Sequence, residues 1–162
     1  MQVAAEHQLP VSPERVIQWL TDPDQAQPAV GLSPKAETQV RLMDDGGVTI
    51  TVRSFLPVEE MPSAVRAVAG GSVELRQAIA WQPAGPDGSR VASLAGEIAG
   101  APVQLEGTLL LAATKDGSQL SIDAQINANV PLFGGAIEQA GARMVTQLLQ
   151  DQVAALELHL AQ

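Results

Sequence analysis

The chain has 162 residues, 46% of them hydrophobic, which is enough apolar material for one domain with a sizeable core. Its formal net charge of -9, with only 9 basic residues, argues against binding nucleic acid or an anionic membrane surface, since both require clustered Lys and Arg. The absence of cysteine excludes disulfides, thiolate nucleophiles and Cys-ligated zinc.

Neither a signal peptide nor a membrane span is indicated. The N-terminal stretch lacks a basic segment followed by an apolar one. The longest purely apolar run, residues 109–113 (LLLAA), is far shorter than a membrane span. We therefore expect a single domain over residues 1–162 that is soluble, cytoplasmic and without membrane insertion.

A strand and a capped helix open the chain. Residues 2–9 (QVAAEHQL) alternate between apolar and polar positions, with His7 on the apolar face, which predicts a half-buried strand. Ser12 is a suitable N-cap and Pro13 suits the first helical position, so a helix is predicted to follow. Two prolines and two aspartates in residues 21–28 end it.

Six further strands, joined by short Gly-containing turns, predict an antiparallel meander. Their bounds are residues 36–43, 48–56, 73–81, 90–98, 103–113 and 121–130. The alternation is clearest in the last of them (SIDAQINANV), which is typical of a strand with one face in the core. Residues 57–71 are the exception, and they predict either a short helix capped by Ser63 or a mobile flap.

The last predicted element is a helix over residues 136–161, about 39 Å at 1.5 Å per residue. Its predicted inward stripe includes Gly141, Met144, Leu148 and Gln152, and His159 follows near its end. Glycine costs about 1 kcal/mol relative to alanine inside a helix. Either close approach to the sheet or room for a ligand should therefore compensate at Gly141.

This order of elements is that of the helix-grip fold, an α+β architecture in which a curved antiparallel sheet of about seven strands surrounds a long C-terminal helix. Residues 9–24 (LPVSPERVIQWLTDPD) resemble the opening of the START and birch-pollen-allergen (SRPBCC) superfamily. Residues 130–145 (VPLFGGAIEQAGARMV) look like the strand-to-helix junction of one bacterial branch, a domain of unknown function. The resemblance implies a cavity between sheet and helix for lipids, sterols, polyketides or other apolar molecules. The aromatic residues expected after the Asp-Pro of that branch are missing here.

His7 and His159 are the only histidines, and both fall on predicted inward faces. The resemblance implies that the first strand and the last helix run roughly parallel, which would make the two side chains neighbours. They are interpreted either as a polar anchor or acid/base pair, or as two ordinary hydrogen-bonded or rim histidines, and the pattern favours the ordinary interpretation. A metal site would need a third ligand that the sequence does not supply, and no cofactor is expected.

Polar residues also interrupt apolar faces, namely Gln152 on the helix and Gln77 and Ser54 on two strands. Each can be a satisfied core group, but together they would give an apolar pocket a few convergent polar groups, which is typical of a small-molecule site. The predicted ligand-binding residues are His7, Val52, Ser54, Gln77, Ile79, Trp81, Ile126, Met144, Leu148, Gln152 and His159.

Three functions follow, in descending order of preference. The first is binding or transport of an apolar small molecule between the sheet and the C-terminal helix. The second is a polyketide cyclase or dehydratase-like enzyme, for which His7, His159 and Gln152 are the inward polar groups available, although no catalytic residue is assigned. The third is a non-catalytic interaction module with a packed core and an acidic surface. The sequence does not specify an oligomeric state.

Overall fold

The structure is a computed structural model that describes residues 1–22, 37–57, 63–66, 72–99 and 102–160. Its elements in chain order are β1 (Gln2–Leu9), α1 (Pro13–Thr21), β2 (Glu37–Leu42), β3 (Val48–Pro57), α2 (Ser63–Arg66), β4 (Ser72–Trp81), β5 (Arg90–Ile98), β6 (Val103–Thr114), β7 (Gly117–Ala128) and α3 (Gly134–Leu160).

The seven strands form one sheet in the order β1-β7-β6-β5-β4-β3-β2, and all neighbours are antiparallel. Short connections of two to eight residues join consecutive strands from β2 to β3 and from β4 to β7, and these consecutive strands lie side by side in the sheet. β1 comes from the other end of the chain and pairs with β7, so β1 and β2 are the two edges. This arrangement, with the C-terminal helix, confirms the predicted α+β class and the predicted antiparallel sheet of about seven strands.

The sheet has one buried face, which we call the inner face, and one exposed face, which we call the outer face. Alternate strand residues such as Ile50, Leu111 and Ile126 are at most 3% exposed and define the inner face. Helix α1 packs there through Val16, Ile17 and Trp19. The described part of α3 adds a second layer, with the buried residues Ile137, Ala140 and Leu156.

The start of α1 follows the predicted local chemistry. The Ser12 hydroxyl accepts a hydrogen bond from the Arg15 amide at 3.4 Å, and Pro13 is the first residue of α1. At the start of α3, the Glu138 carboxylate accepts a hydrogen bond from the Ala128 amide at 3.1 Å. Gly134 is required there by close approach, because an added Cβ would lie 2.6 Å from the Ala128 carbonyl oxygen.

The largest errors in the predicted boundaries are at both ends of β7 and at the start of α3, which begins at Gly134 instead of residue 136. β7 begins at Gly117 instead of residue 121, because the turn before it uses only Lys115 and Asp116. Gly117, with a φ of 150°, is already the first residue of the strand. The strand ends at Ala128, because the Val130 carbonyl instead accepts a hydrogen bond from Gly134, the first residue of α3.

Within the stretch predicted as a short helix or a flap, α2 is present but begins at Ser63 itself, so Ser63 is not its cap. Residues 58–62 and 67–71 of this stretch lie outside the described residues, as do residues 36 and 161 at the ends of two other predicted elements.

Candidate functional site: the interface between the inner face and helix α3

Strand register aligns three of the predicted site residues in one row across the inner face. Val52 pairs with Gln77, Gln77 with Gly96, Gly96 with Leu105, and Leu105 with Ile126. Side chains directly opposite on neighbouring strands lie within contact distance of one another. Residues far apart in the chain therefore form one continuous strip, and its β4 to β7 part lines a void together with the N-terminal half of α3.

A void of about 80 Å³ lies over part of this strip, and we call it the first void. Gly96 on the sheet and Gly141 on α3 both line it, and neither has a side chain to fill it. A Cβ added at Gly141 would lie 3.3 Å from Ile126 Cδ1, so helix and sheet are already close at this point. The lining is Leu75, Gln77, Gly96, Glu97, Ile98, Val103, Gln104, Leu105, Ile126, Gly141 and Val145.

A second void of about 50 Å³ lies between α1, the sheet and the C-terminal half of α3. Its lining is wholly apolar by residue type: Leu9, Val16, Trp19, Leu20, Ile50, Ile79, Trp81, Leu109, Leu120, Val153 and Leu156. It therefore includes both tryptophans of the chain.

The two voids lie along the same helix. Val145 lines the first and Val153 the second, and eight residues of helix separate them by about 12 Å. Each void is much smaller than the roughly 300–1,000 Å³ of a typical small-molecule pocket. A ligand larger than a few atoms would have to join the two voids or displace part of their lining.

Three buried polar groups lie beside these voids. Ser54 is 2% exposed on β3 and pairs with Leu75, a residue of the first void. His7 on β1 pairs with Leu120, a residue of the second void, and Ser118 pairs with Leu9, another. The Nε2 atom of His7 and the hydroxyl of Ser118 are buried, and neither has a hydrogen-bond partner among the described residues.

The structure separates the predicted site residues into four groups. Gln77 and Ile126 line the first void. Ile79 and Trp81 line the second. Val52, Ser54 and His7 lie on the inner face but line neither void. The remaining four, Met144, Leu148, Gln152 and His159, belong to α3, and their side chains lie outside the described part of the structure.

Sequence reasoning did not place α1 in the site, although Val16, Trp19 and Leu20 form one wall of the second void. The available signal was the apolar stripe of that helix, which also contains one of the two tryptophans. It also did not single out Gly96. A glycine inside a strand often marks a bulge or the close approach of another group, and here it helps to leave the first void open.

The outer face of β2 to β6 carries a much larger but open trough of about 550 Å³. On this face Glu74 accepts hydrogen bonds from Arg53 and Arg76, and Arg76 also lies 3.6 Å from Glu97. The hydrogen bond from Arg53, and next that from Arg76, lowers the pKa of the Glu74 carboxyl below its ordinary value. The hydrogen bond to Glu74 likewise raises the pKa of Arg76. These paired charges are typical of a solvated surface, so the larger volume does not make the trough the better apolar site.

The described residues contain neither a candidate metal site nor a membrane-spanning helix. No group of three His, Asp or Glu side chains among them is arranged to hold a metal ion. None of the helices in the described part of the chain is both long and apolar enough to cross a membrane.

The fold and its apolar helix-sheet interface define a START-like α+β protein. Similar solved structures include the STAR-related lipid transfer protein of Xanthomonas axonopodis, with a TM-score of 0.59 and 15% identity over 98% of this chain and 85% of the other. A START superfamily protein of Mycobacterium smegmatis has a TM-score of 0.55 and 15% identity over 97% and 98% of the two chains. Mll3558 of Rhizobium loti has a TM-score of 0.56 and 20% identity over 96% of both. At these identities the similarity shows the fold alone.

The family is established by the sequence match. Residues 4–159 match the family described as protein of unknown function (DUF2505), and the chain belongs to that family. The uncharacterised proteins Rv0481c of Mycobacterium tuberculosis and Mb0491c of Mycobacterium bovis are each 29% identical to it over 108 residues, or 65% of this chain. The match spans 62% of the length of these relatives.

Proposed function

We propose that this protein binds a slender apolar small molecule, such as a medium-chain acyl or alkyl compound, between the inner face of the sheet and helix α3. The observation that carries the proposal is the pair of apolar voids along one helix-sheet interface. Both are partly open and lined mainly by apolar side chains, which is typical of a small-molecule site. Two such voids in line under one helix therefore favour an interface that accepts a guest.

The shape of the interface favours a narrow ligand over a broad one. Both voids are small, and about 12 Å of helix separates Val145 from Val153. An extended alkyl chain can reach across that distance while displacing few side chains, whereas a sterol or a fused-ring polyketide would require a wide opening. The fold of the Xanthomonas axonopodis STAR-related lipid transfer protein supports the same class of ligand.

The test is a fluorescence titration with decan-1-ol and decanoate. Trp19 and Trp81 are the only tryptophans and both line the second void, so a ligand that enters it should change their emission. We expect a saturable change with at least one of these two probes. The absence of any saturable change with either probe would contradict the proposal.

Two substitutions in α3 localise the binding. Gly141→Leu places a side chain in the first void and should weaken binding by about tenfold or more, since it occupies the space that the alkyl chain needs. Gly135→Leu is the matched control, because a Cβ added there meets nothing within 4 Å. Equal affinities for the two variants would contradict the assigned site.

A third variant guards against an effect of Gly141→Leu on folding. Val153→Phe enlarges a residue of the second void and leaves the first unchanged. It should also weaken binding, and circular dichroism should show that each variant remains folded. If filling the second void leaves the affinity unchanged in a folded protein, the ligand does not extend along α3 as proposed.

A further inference from the structure

The edge strand β2 has an unpaired side among the described residues. It is the last strand of the sheet and pairs only with β3. Unpaired backbone groups on a sheet edge can pair with another chain, and natural edges are commonly protected by Lys, Pro or a bulge. The six residues of β2, ETQVRL, contain neither Lys nor Pro.

Apolar side chains on β2 are exposed although they belong to the inner face. Val40 pairs with Ile50 and Leu42 with Val48, and both partners are buried. Val40 is nevertheless 36% exposed and Leu42 72%. Helix α3 packs mainly on β7 and β1, at the opposite side of the sheet. The β2 edge therefore combines open hydrogen-bonding positions with uncovered apolar surface.

The charged side chains of β2 are complementary to those of a second copy of β2 that runs antiparallel to it. Glu37 and Arg41 lie on the outer face, two residues before and two residues after Gln39. Neither forms an ion pair with another residue in the described ranges. If a second β2 runs antiparallel with Gln39 opposite Gln39, Glu37 of each copy faces Arg41 of the other. Directly opposite unlike charges stabilise a strand pair.

The register is specified by the same residues. Pairing about Gln39 keeps the inner faces of both copies on one side and places Thr38 opposite Val40. Pairing about Val40 instead would place Glu37 opposite Met43 and leave both charges without partners. The other edge strand lacks this property, because Glu6 is the one acidic residue of β1 and no Lys or Arg accompanies it.

We propose that β2 is a homodimer interface in which two copies of this chain pair antiparallel about Gln39 and join their sheets into one. The contact is isologous, so the same surface serves both partners and the assembly closes at two chains. It is formed by the sheet edge alone and does not depend on the interior binding a ligand.

The test measures molar mass by light scattering across a dilution series. The wild-type chain should dimerise reversibly. Glu37→Arg and Arg41→Glu should each raise the dimer Kd by about tenfold or more, because each places two pairs of like charges across the interface. Glu6→Arg, the same change of charge on β1, is the control and should leave the Kd unchanged.

Mixing the two single variants gives the decisive result. In the mixed dimer, both charges on one chain are positive and both on the other are negative, so two favourable pairs form again. We expect the mixture to form a heterodimer with near wild-type affinity and the Glu37→Arg, Arg41→Glu double variant to restore the homodimer. A wild-type chain that stays monomeric, a dimer insensitive to the single changes, or a mixture that fails to associate would each overturn the proposal.

Discussion

The β1 edge of the sheet is covered on its inner face, whereas the β2 edge is open. On β1, the inner-face residues Val3 and Leu9 are 5% and 4% exposed. On β2, Val40 and Leu42 are 36% and 72% exposed. The two edges have similar alternating patterns, so alternation alone does not decide burial. What decides it is which strands the helices reach.

Chain connectivity explains which edge is covered. Only residues 129–133 separate the end of β7 from the start of α3, so the helix must pack on β7 and on its neighbour β1. The amino group of Met1 donates a hydrogen bond to the Ile126 carbonyl at 2.7 Å and lies 3.7 Å from the Glu138 carboxylate, which ties β1 to β7 and α3. β2 is the strand farthest from that junction in the sheet.

The largest expected effect comes from shortening a leucine on each side of this comparison. Leu9→Ala removes a buried side chain from the inner face of β1 and should lower the free energy of unfolding by about 2–5 kcal/mol. Leu42→Ala should change it by less than about 0.5 kcal/mol when the protein is monomeric at high dilution. Urea denaturation of both variants measures the difference, and equal losses would mean that the two edges are not differently covered.

A backbone substitution gives the next largest effect. Gly117 has φ 150°, and an added Cβ would overlap the Leu9 carbonyl where the chain leaves β1. Gly117→Ala should therefore lower the free energy of unfolding by about 2 kcal/mol. Gly135→Ala, where the added methyl group meets nothing, should not destabilise the protein. Thermal unfolding distinguishes the two, and a neutral Gly117→Ala variant would show that the β1 connection does not pack on that hairpin.

Removing the carboxylate at the β1 edge should have a smaller effect. Glu138→Ala leaves the Ala128 amide without its acceptor and removes the charge beside the Met1 amino group. We expect a loss of about 1–2 kcal/mol in the free energy of unfolding. Glu37→Ala on the open edge serves as the comparison and should stay within about 0.5 kcal/mol in the monomer. If urea denaturation gives similar losses in the free energy of unfolding for both variants, Glu138 does not stabilise the β1 edge as described.

The smallest effect concerns pH. The Glu74 carboxyl has a lowered pKa because Arg53 and Arg76 donate hydrogen bonds to it. Its contribution to stability is therefore complete above the ordinary glutamate pKa of 4.5 and disappears as the pH falls through the lowered value. When the pH falls from about 5 to about 3, the Glu74→Gln variant should lose slightly less stability than the wild type, because it has no carboxylate to protonate at this position. Parallel pH dependences for the two proteins would show that these outer-face ion pairs do not contribute.

Much of the fold could be predicted from local patterns. The bounds of β1 and β5 agree with the prediction, and Ser12 caps α1 as expected, because alternation and capping depend on residues close in the chain. The start of β7 could not be predicted, since it depends on Gly117 packing against the end of β1.

Less of the candidate site could be predicted from the sequence. Gln77 and Ile126 belong to one row only because Gly96 and Leu105 align between them, and register of this kind depends on pairings across the whole sheet. The contribution of α1 depends in turn on where that helix packs. Periodicity therefore indicated the inner faces, but not which residues share a void.

The most direct test of the central claim is to locate a bound alkyl chain by intermolecular NOEs between decan-1-ol and the labelled protein. We expect NOEs from the alkyl chain to Gly141, Ile126 and the Trp81 indole, all of which line the two inner voids. NOEs confined to outer-face residues such as Ala78 and Ala95, or none at saturating decan-1-ol, would contradict the central claim.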